Sequence, residues 1–233
     1  MINKLRALNT LLKDRTLANQ KIEEWIGKKF EMLRTGAGGQ VEKSFDDLFE
    51  IVQTEEKFDS EQRFYCLTFI DSKFIAAETN EINTKHCAYC NNSPCVADRL
   101  LLSQKIYMDT KQKHYLKLYI GCEGYASSPR FIPIKPKPEI GIPYGYCLLF
   151  FYLEHLLKDI PESIAKGMVL QEELRSCKFF VHSKTKIAKF NRECRPAFNS
   201  QKAIEWELYR FNRLKEEEEK AIQMCTFLKQ IHW

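Results

Sequence analysis

Three cysteines and a histidine lie within ten residues near the middle of the chain, and this cluster constrains the fold more than any other feature. The cluster comprises His86, Cys87, Cys90 and Cys95. The Cys-x-x-Cys spacing of Cys87 and Cys90 lets two thiolates bind one tetrahedral ion from a tight turn. Cys95 is placed to add a third ligand, and His86 adjoins the first. The spacing therefore predicts a zinc-stabilised knuckle.

The fourth ligand and the nature of the site stay open at this point. Cysteine or histidine residues on neighbouring elements are alternatives to His86, namely Cys66, His114, Cys122 and Cys147. The same cysteines are also compatible with small, buried, reduced thiols, which protein cores use readily, or with redox chemistry. An iron–sulfur cluster needs four cysteines, and no clear fourth one is supplied.

Composition limits the class of protein. A chain of 233 residues with 44% hydrophobic residues can bury a substantial core. Nine cysteines without a secretory signal fit a reducing compartment. The chain contains no apolar run of about 18 residues or more, and its first residues lack the apolar core of a signal peptide. These observations predict a soluble, cytoplasmic protein that does not enter a membrane.

Hydrophobic periodicity predicts helices towards both ends of the chain. Residues 5–33 carry apolar side chains at three- and four-residue steps, either as one helix or with a break near residues 14–16. Residues 42–56 show a second amphipathic pattern. Residues 201–231 predict one long helix, whose apolar stripe packs either on its own chain or on a partner. The basic stretch before it is interpreted as a loop.

The middle of the chain mixes strand and helix signals. The predicted strands are a hairpin over residues 63–78, a strand over 114–120, an edge strand at 131–134 and a short strand over 177–182. Pro133 favours an edge position for this strand, because proline lacks the N–H that a central strand needs. The predicted helices lie at 96–106, 147–157 and 161–175.

These elements predict an α+β fold: a small mixed sheet with a cysteine-rich knuckle, flanked by N-terminal helices and a long C-terminal helix. Three regions follow from the order of the elements. Residues 1–58 form an N-terminal helical region, residues 59–183 an α+β core with the knuckle, and residues 184–233 a basic segment with the long helix.

The order of the central elements resembles the zinc-dependent cytidine deaminase fold over roughly residues 63–183. In that family the ligand helices begin with Cys-Ala-Glu or His-Ala-Glu and with Pro-Cys-x-x-Cys. Cys87 matches the first ligand and Cys147 the last. Tyr89 replaces the catalytic glutamate, and Tyr144 replaces the middle cysteine. The resemblance implies a zinc hydrolase acting on a nucleotide or nucleic acid, divergent or inactive at its catalytic centre.

The chain carries 36 basic and 31 acidic residues, a net charge of +5, and much of the excess lies between residues 178 and 215. Aromatic side chains interleave with the basic ones there, so the segment can neutralise phosphates and stack on bases. The candidate nucleic-acid-binding residues are Lys184, Lys186, Lys189, Arg192, Arg195, Arg210 and Arg213. The alternative is an ordinary basic loop with aromatic residues that belong to the core.

No catalytic pair can be nominated, because the five histidines lie on different predicted elements. The sequence therefore predicts a non-catalytic adaptor or complex subunit, stabilised by zinc, that binds a protein partner and, through the basic segment, nucleic acid. A divergent deaminase-like hydrolase is the alternative. Whether the chain is an enzyme is left open.

Overall fold

A computed structural model describes residues 2–36, 39–52, 99–121 and 131–231. The helices are α1 (Ile2–Thr35), α2 (Phe45–Leu48), α3 (Ile142–Asp159), α4 (Pro161–Lys166), α5 (Gln171–Ser176) and α6 (Lys184–Ile231). The strands are β1 (Val41–Ser44), β2 (Phe49–Ile51), β3 (Leu100–Ser103), β4 (Tyr107–Met108), β5 (His114–Tyr115), β6 (Leu118–Ile120), β7 (Phe131–Pro136) and β8 (Lys178–Val181). The predicted α+β class, with an N-terminal helix and a long C-terminal helix, is confirmed.

Within the described ranges, four strands form the central sheet in the order β2-β7-β3-β6, and their pairings are antiparallel. Strand β3 lies between β7 and β6, and all four of its residues are buried. Strands β1 and β8 form a separate antiparallel pair, as do β4 and β5. The hydrophobic core includes side chains from one face of the central sheet, from α3, and from parts of α1 and α6.

Strand β7 is central, although Pro133 predicted an edge strand. Pro133 pairs with Leu101 of β3, and its carbonyl accepts the N–H of Val52 at 3.0 Å. In an antiparallel pair the N–H and C=O of one residue point to the same side. The missing N–H of Pro133 therefore faces Val52, one residue past the end of β2. The sheet tolerates this proline because the neighbouring strand has already ended there.

Helices α1 and α6 form an antiparallel pair. Charged and polar partners along the pair run in opposite directions in the two sequences: Lys4–Glu218, Arg15–Glu207, Asn19–Glu205 and Lys29–Glu193. These ion pairs are half-exposed, so each contributes little to stability. The apolar seam carries the pairing, with Ile26 of α1 and Phe190 and Cys194 of α6 among its buried side chains.

One end of this pair projects beyond the core. Along residues 2–21 of α1 and 206–231 of α6, Leu8 is the only buried side chain among those that the structure describes. We call this segment the two-helix arm; 20 helical residues give it a length of about 30 Å. Met224 and Phe227 near the end of α6 are 69% and 62% exposed. The arm therefore presents apolar surface that the described residues of the chain do not cover.

An aromatic cluster joins α1 to the rest of the molecule. The ring of Phe30 lies 5.7 Å from that of Tyr144, 5.2 Å from that of Phe151 and 5.6 Å from that of Phe190, measured between centroids. These rings come from α1, α3 and α6. Such pairs add attraction beyond the area that they bury. Phe30 thus links the three helices at one point.

Several element predictions are wrong. Residues 42–56 were predicted as a helix, but the described part forms β1, the single turn of α2, and β2. Residues 96–106 were predicted as a helix, whereas residues 100–103 are β3. The predicted helix at 161–175 is two helices, because Gly167 adopts a left-handed conformation at the end of α4. The predicted basic loop is the first half of α6. The predicted hairpin over 63–78 lies outside the described residues.

In the part of the chain that the structure describes, no helix is long and apolar enough to cross a membrane. The only described residue other than glycine with a positive φ is Gln112, at 60°.

Candidate nucleic-acid interface

All seven basic residues nominated from the sequence lie on α6. The first half of this helix is held against the core by a stripe of buried side chains at three- and four-residue steps: Ile187, Phe190, Cys194, Phe198 and Gln201. This stripe fixes which face of α6 is turned outward. The helix periodicity then brings Lys184, Arg192 and Arg195 onto the opposite, exposed side.

These three residues line a cleft of about 640 Å³ between α6 and the loop that precedes α3. Pro138 and Glu139 form the wall opposite the helix. Lys184, Arg192 and Arg195 form no ion pair with any residue in the described ranges. Among the described residues that line the cleft, Glu139 is the one acidic residue. The cleft is therefore positively charged and open to an anion.

Asn191 fixes the geometry of the cleft. Its side-chain Oδ1 accepts the backbone N–H of Tyr144 at 2.9 Å, and its Nδ2 donates to the carbonyl of Ile140 at 2.7 Å. It thereby ties α6 to the beginning of α3. Gly141 has a φ of +68°, and a Cβ there would lie 2.6 Å from Nδ2 of Asn191. Glycine is required at this position for both its conformation and its lack of a side chain.

The other four nominated residues differ in their surroundings. Lys189 is 3.9 Å from Glu193, and Arg213 is 3.7 Å from Glu217, so both charges are partly neutralised within the helix. Lys186 is half-buried. Arg210 is exposed and has no ion pair among the described residues. The free positive charge is therefore concentrated in the cleft and continues along α6 to Arg210.

Two aromatic side chains lie between the cleft and Arg210. Trp206 and Tyr209 are stacked, with centroids 6.0 Å apart and an interplanar angle of 20°. Both are half-buried. By contrast, Phe190 and Phe198 are buried in the core and cannot stack on a ligand. The structure thus divides the aromatic residues of the basic segment into two groups that the sequence did not separate.

The candidate metal ligands His86, Cys87, Cys90 and Cys95 lie outside the described residues. Within the described residues, no group of three or more His, Cys, Asp or Glu side chains is placed to hold a metal ion. Cys147, Cys177 and Cys194 are buried and form no disulfide with one another or with any other described cysteine. Burial raises the pKa of Cys177 and Cys194 to about 11, so both remain protonated thiols near neutral pH. These three cysteines are part of the hydrophobic core.

Sequence reasoning missed Asn191 and the wall formed by residues 138–139. An asparagine in a stretch interpreted as a loop carries no signal of a helix anchor. Its two partners lie about 50 positions earlier in the chain, at Ile140 and Tyr144. Only the tertiary arrangement brings them together.

No protein-family profile and no characterised protein sequence matches the chain. Among solved structures, it is similar to the S subunit of a type-I restriction-modification system from M. genitalium, with a TM-score of 0.49 and 13% identity. That match covers 92% of this chain and 55% of the other. The HsdS subunit from Thermoanaerobacter tengcongensis gives a TM-score of 0.41 and 11% identity over 91% of this chain and 53% of that one.

A third structure comes from a study of the structural basis of complex assembly and conformational transition in the type I R-M system. It gives a TM-score of 0.41 and 13% identity. It is matched over 93% of this chain and 56% of its own. The chain therefore spans about half the length of each of these proteins. At TM-scores below 0.5, the likeness assigns neither a family nor an activity.

The resemblance to zinc-dependent cytidine deaminases is wrong. The similar structures come from type I restriction-modification systems, and none of the three is a deaminase.

Proposed function

We propose that the chain is a non-catalytic subunit that binds nucleic acid through the cleft between α6 and residues 138–139. The observation that carries this proposal is the set of three exposed cations, Lys184, Arg192 and Arg195, without ion-pair partners in the described residues. Each can neutralise a backbone phosphate and release a condensed counterion. Arg210 and the Trp206–Tyr209 pair extend the same helix surface beyond the cleft.

Reversing the three cleft charges is expected to weaken nucleic-acid binding at least about 100-fold at 100 mM salt. The variant is Lys184→Glu/Arg192→Glu/Arg195→Glu. The slope of log K against log[salt] should also fall by about 0.9 for each duplex phosphate contact that is lost. Fluorescence anisotropy with a labelled duplex and a labelled single strand, between 50 and 200 mM salt, measures both quantities.

The matched control is Arg6→Glu/Lys21→Glu/Lys28→Glu, which makes the same change in net charge on exposed positions of α1. It should bind within about tenfold of the wild type, since only the long-range field changes. Equal losses in the two variants would show that the cleft is not the binding site. Absence of wild-type binding to both nucleic acids at 50 mM salt would overturn the proposal.

The two-helix arm supports the second part of the role, assembly with a protein partner. Its exposed apolar side chains include Leu11, Leu17, Leu214, Met224 and Phe227. A projecting antiparallel helix pair with a partly uncovered apolar surface is suited to receiving a further helix from another protein.

We also propose that Cys87, Cys90 and Cys95, with His86, bind zinc. Elemental analysis of the purified chain should find about one zinc per molecule, lost in the Cys87→Ser/Cys90→Ser variant because two of the ligands are removed. Cys225→Ser, which changes an exposed cysteine of α6, is the control and should retain the metal. Metal-free wild-type protein would contradict the zinc site while leaving the nucleic-acid proposal intact.

A further inference from the structure

A short basic hairpin stands apart from the cleft. Strands β4 and β5 pair through Tyr107–Tyr115 and Met108–His114. The connecting turn is closed by Asp109, whose carboxylate accepts the backbone N–H groups of Lys111 and Lys113, both at 2.8 Å. These hydrogen bonds from the carboxylate of Asp109 hold the turn in one shape, and both lysines of the turn are exposed.

The base of the hairpin is stiffened by stacked tyrosines. The rings of Tyr107 and Tyr115 lie 5.4 Å apart with an interplanar angle of 26°. The ammonium groups of Lys105 and Lys117 lie 5.6 and 5.0 Å from the centroid of Tyr107, within cation–π range. Tyr115 remains 39% exposed. The stack therefore combines fixed positive charge with an accessible aromatic surface.

The hairpin carries an excess of positive charge. Residues 105–117 contain four lysines and one acidic residue, Asp109. The oxygen Oδ1 of that carboxylate is already engaged by the backbone of the turn. Lys111 and Lys113 are exposed and form no ion pair within the described part of the chain. The tip of the hairpin is thus a site for an anion rather than for a surface ion pair.

The hairpin and the cleft lie towards opposite ends of β7. Ser103, just before the hairpin, pairs with Phe131 at the start of β7. The cleft wall at residues 138–139 follows Pro136 at the other end of that strand. A six-residue strand is about 20 Å long. One nucleic acid of more than about six base pairs, at 3.4 Å each, is long enough to span this separation.

We infer that the β4–β5 hairpin is a second nucleic-acid contact, in which Lys111 and Lys113 bind backbone phosphates. This inference rests on the proposed nucleic-acid role and adds a site that the basic segment of α6 does not include. The exposed ring of Tyr115 is available to a base when the ligand is single-stranded, as in aromatic platforms for single strands. Both a duplex and a single strand offer phosphates to the lysines. An effect of Tyr115 on binding distinguishes the two ligands, because only a single strand offers unpaired bases to the ring.

The test uses Lys111→Ala/Lys113→Ala, with Lys21→Ala/Lys28→Ala on α1 as a control of equal charge. The hairpin variant should bind about five- to tenfold more weakly, with a salt slope lower by about 1.8 for a duplex or about 1.4 for a single strand. The control should stay within about twofold of the wild type. Tyr115→Ala should weaken binding of the single strand about fivefold or more, because an unpaired base loses the ring on which it stacks. The same variant should bind the duplex within about twofold of the wild type, because paired bases do not stack on the ring.

The outcomes separate this inference from the proposed function. If the wild type binds and charge reversal in the cleft weakens binding, but the hairpin variant binds both nucleic acids like the wild type, the hairpin inference is wrong and the cleft stands. If the hairpin variant alone weakens binding, the hairpin stands and the cleft is wrong. Both are wrong if the wild type binds neither nucleic acid.

Discussion

Phe30→Ala is expected to lower the free energy of unfolding by about 3–5 kcal/mol, the cost of removing a buried phenyl group and leaving a cavity. Phe30 is 3% exposed and contacts rings from α3 and α6. Its loss removes the aromatic link between α1 and the core. The ion pairs along α1 and α6 are half-exposed and cannot compensate. Urea unfolding followed by circular dichroism measures the change.

The matched control is Phe227→Ala, the same substitution on a 62% exposed residue of α6. It should change stability by no more than about 0.5 kcal/mol, because no packing is lost. If Phe30→Ala does not fold, Phe30→Leu keeps most of the volume and should cost about 1.5 kcal/mol. Amide hydrogen exchange should then accelerate first in residues 20–34. A loss below about 1 kcal/mol for Phe30→Ala would mean that α1 is held by the seam with α6 alone.

The N-terminal helix could be predicted because its apolar residues repeat over many turns. Leu8, Ile22 and Ile26 recur at helical steps, and all face the same side. A long periodic pattern averages out local exceptions. The sequence offered a possible break near Asp14, but the helix is continuous. The polar residues there lie on its exposed face and interrupt nothing.

Short apolar runs were harder to predict because periodicity cannot classify them. Leu100, Leu101 and Leu102 form a continuous run that fits a buried helix as well as a buried strand. The structure places them in β3, where pairing with β6 and β7 buries all of them. Those partners are distant in sequence. The strand is therefore decided by tertiary contacts rather than by local pattern.

The first half of α6 was misinterpreted for a different reason. Its basic residues were interpreted as a loop, although Ile187, Phe190 and Cys194 follow helical spacing and the helix also contains Pro196. Proline removes one backbone hydrogen bond, which this helix tolerates. The sequence nominated the individual cations but did not predict that three of them line one cleft. The cleft depends on Asn191 and on residues 138–139, whose approach no local pattern encodes.

Acidification below about pH 6.5 is expected to destabilise the protein through His182. This residue follows β8 and is 5% exposed. Burial lowers the pKa of His182, a hydrogen bond to the Leu33 carbonyl opposes that shift, and the charge of Lys186 lowers the pKa further. The neutral ring is therefore the form that the folded protein favours.

Tyr144 supplies the matching partner. Its Oη lies 3.0 Å from Nδ1 of His182 and accepts the backbone N–H of His182 at 3.2 Å. Burial raises the pKa of Tyr144 to about 12, so the phenol keeps its proton near neutral pH. On the other side of the ring, Nε2 of His182 lies 3.1 Å from the amide nitrogen of Gln40, which can only donate. A ring protonated on both nitrogens has no acceptor for that amide, so this buried site disfavours the charged imidazole.

The sign of the pH dependence follows from the lowered pKa. In the unfolded chain the imidazole binds a proton near pH 6.5, above the pH at which it does so in the folded protein. Stability is full above the unfolded pKa and falls as the pH decreases, with a contribution of at most about 1.4 kcal/mol per pH unit from this one group. The loss levels off once the folded protein also binds the proton.

Urea unfolding between pH 7.5 and 5 tests this, with His182→Gln against the control His155→Gln. His182→Gln should be less stable at pH 7.5, since it breaks the bond to Tyr144, but its stability should decline less between pH 6.5 and 5.5. His155 is exposed, so its variant should keep the wild-type decline. An unchanged decline in His182→Gln would assign the acid sensitivity to another group. A shallower decline would establish the Tyr144–His182 pair as a pH-dependent link between α3 and the start of α6.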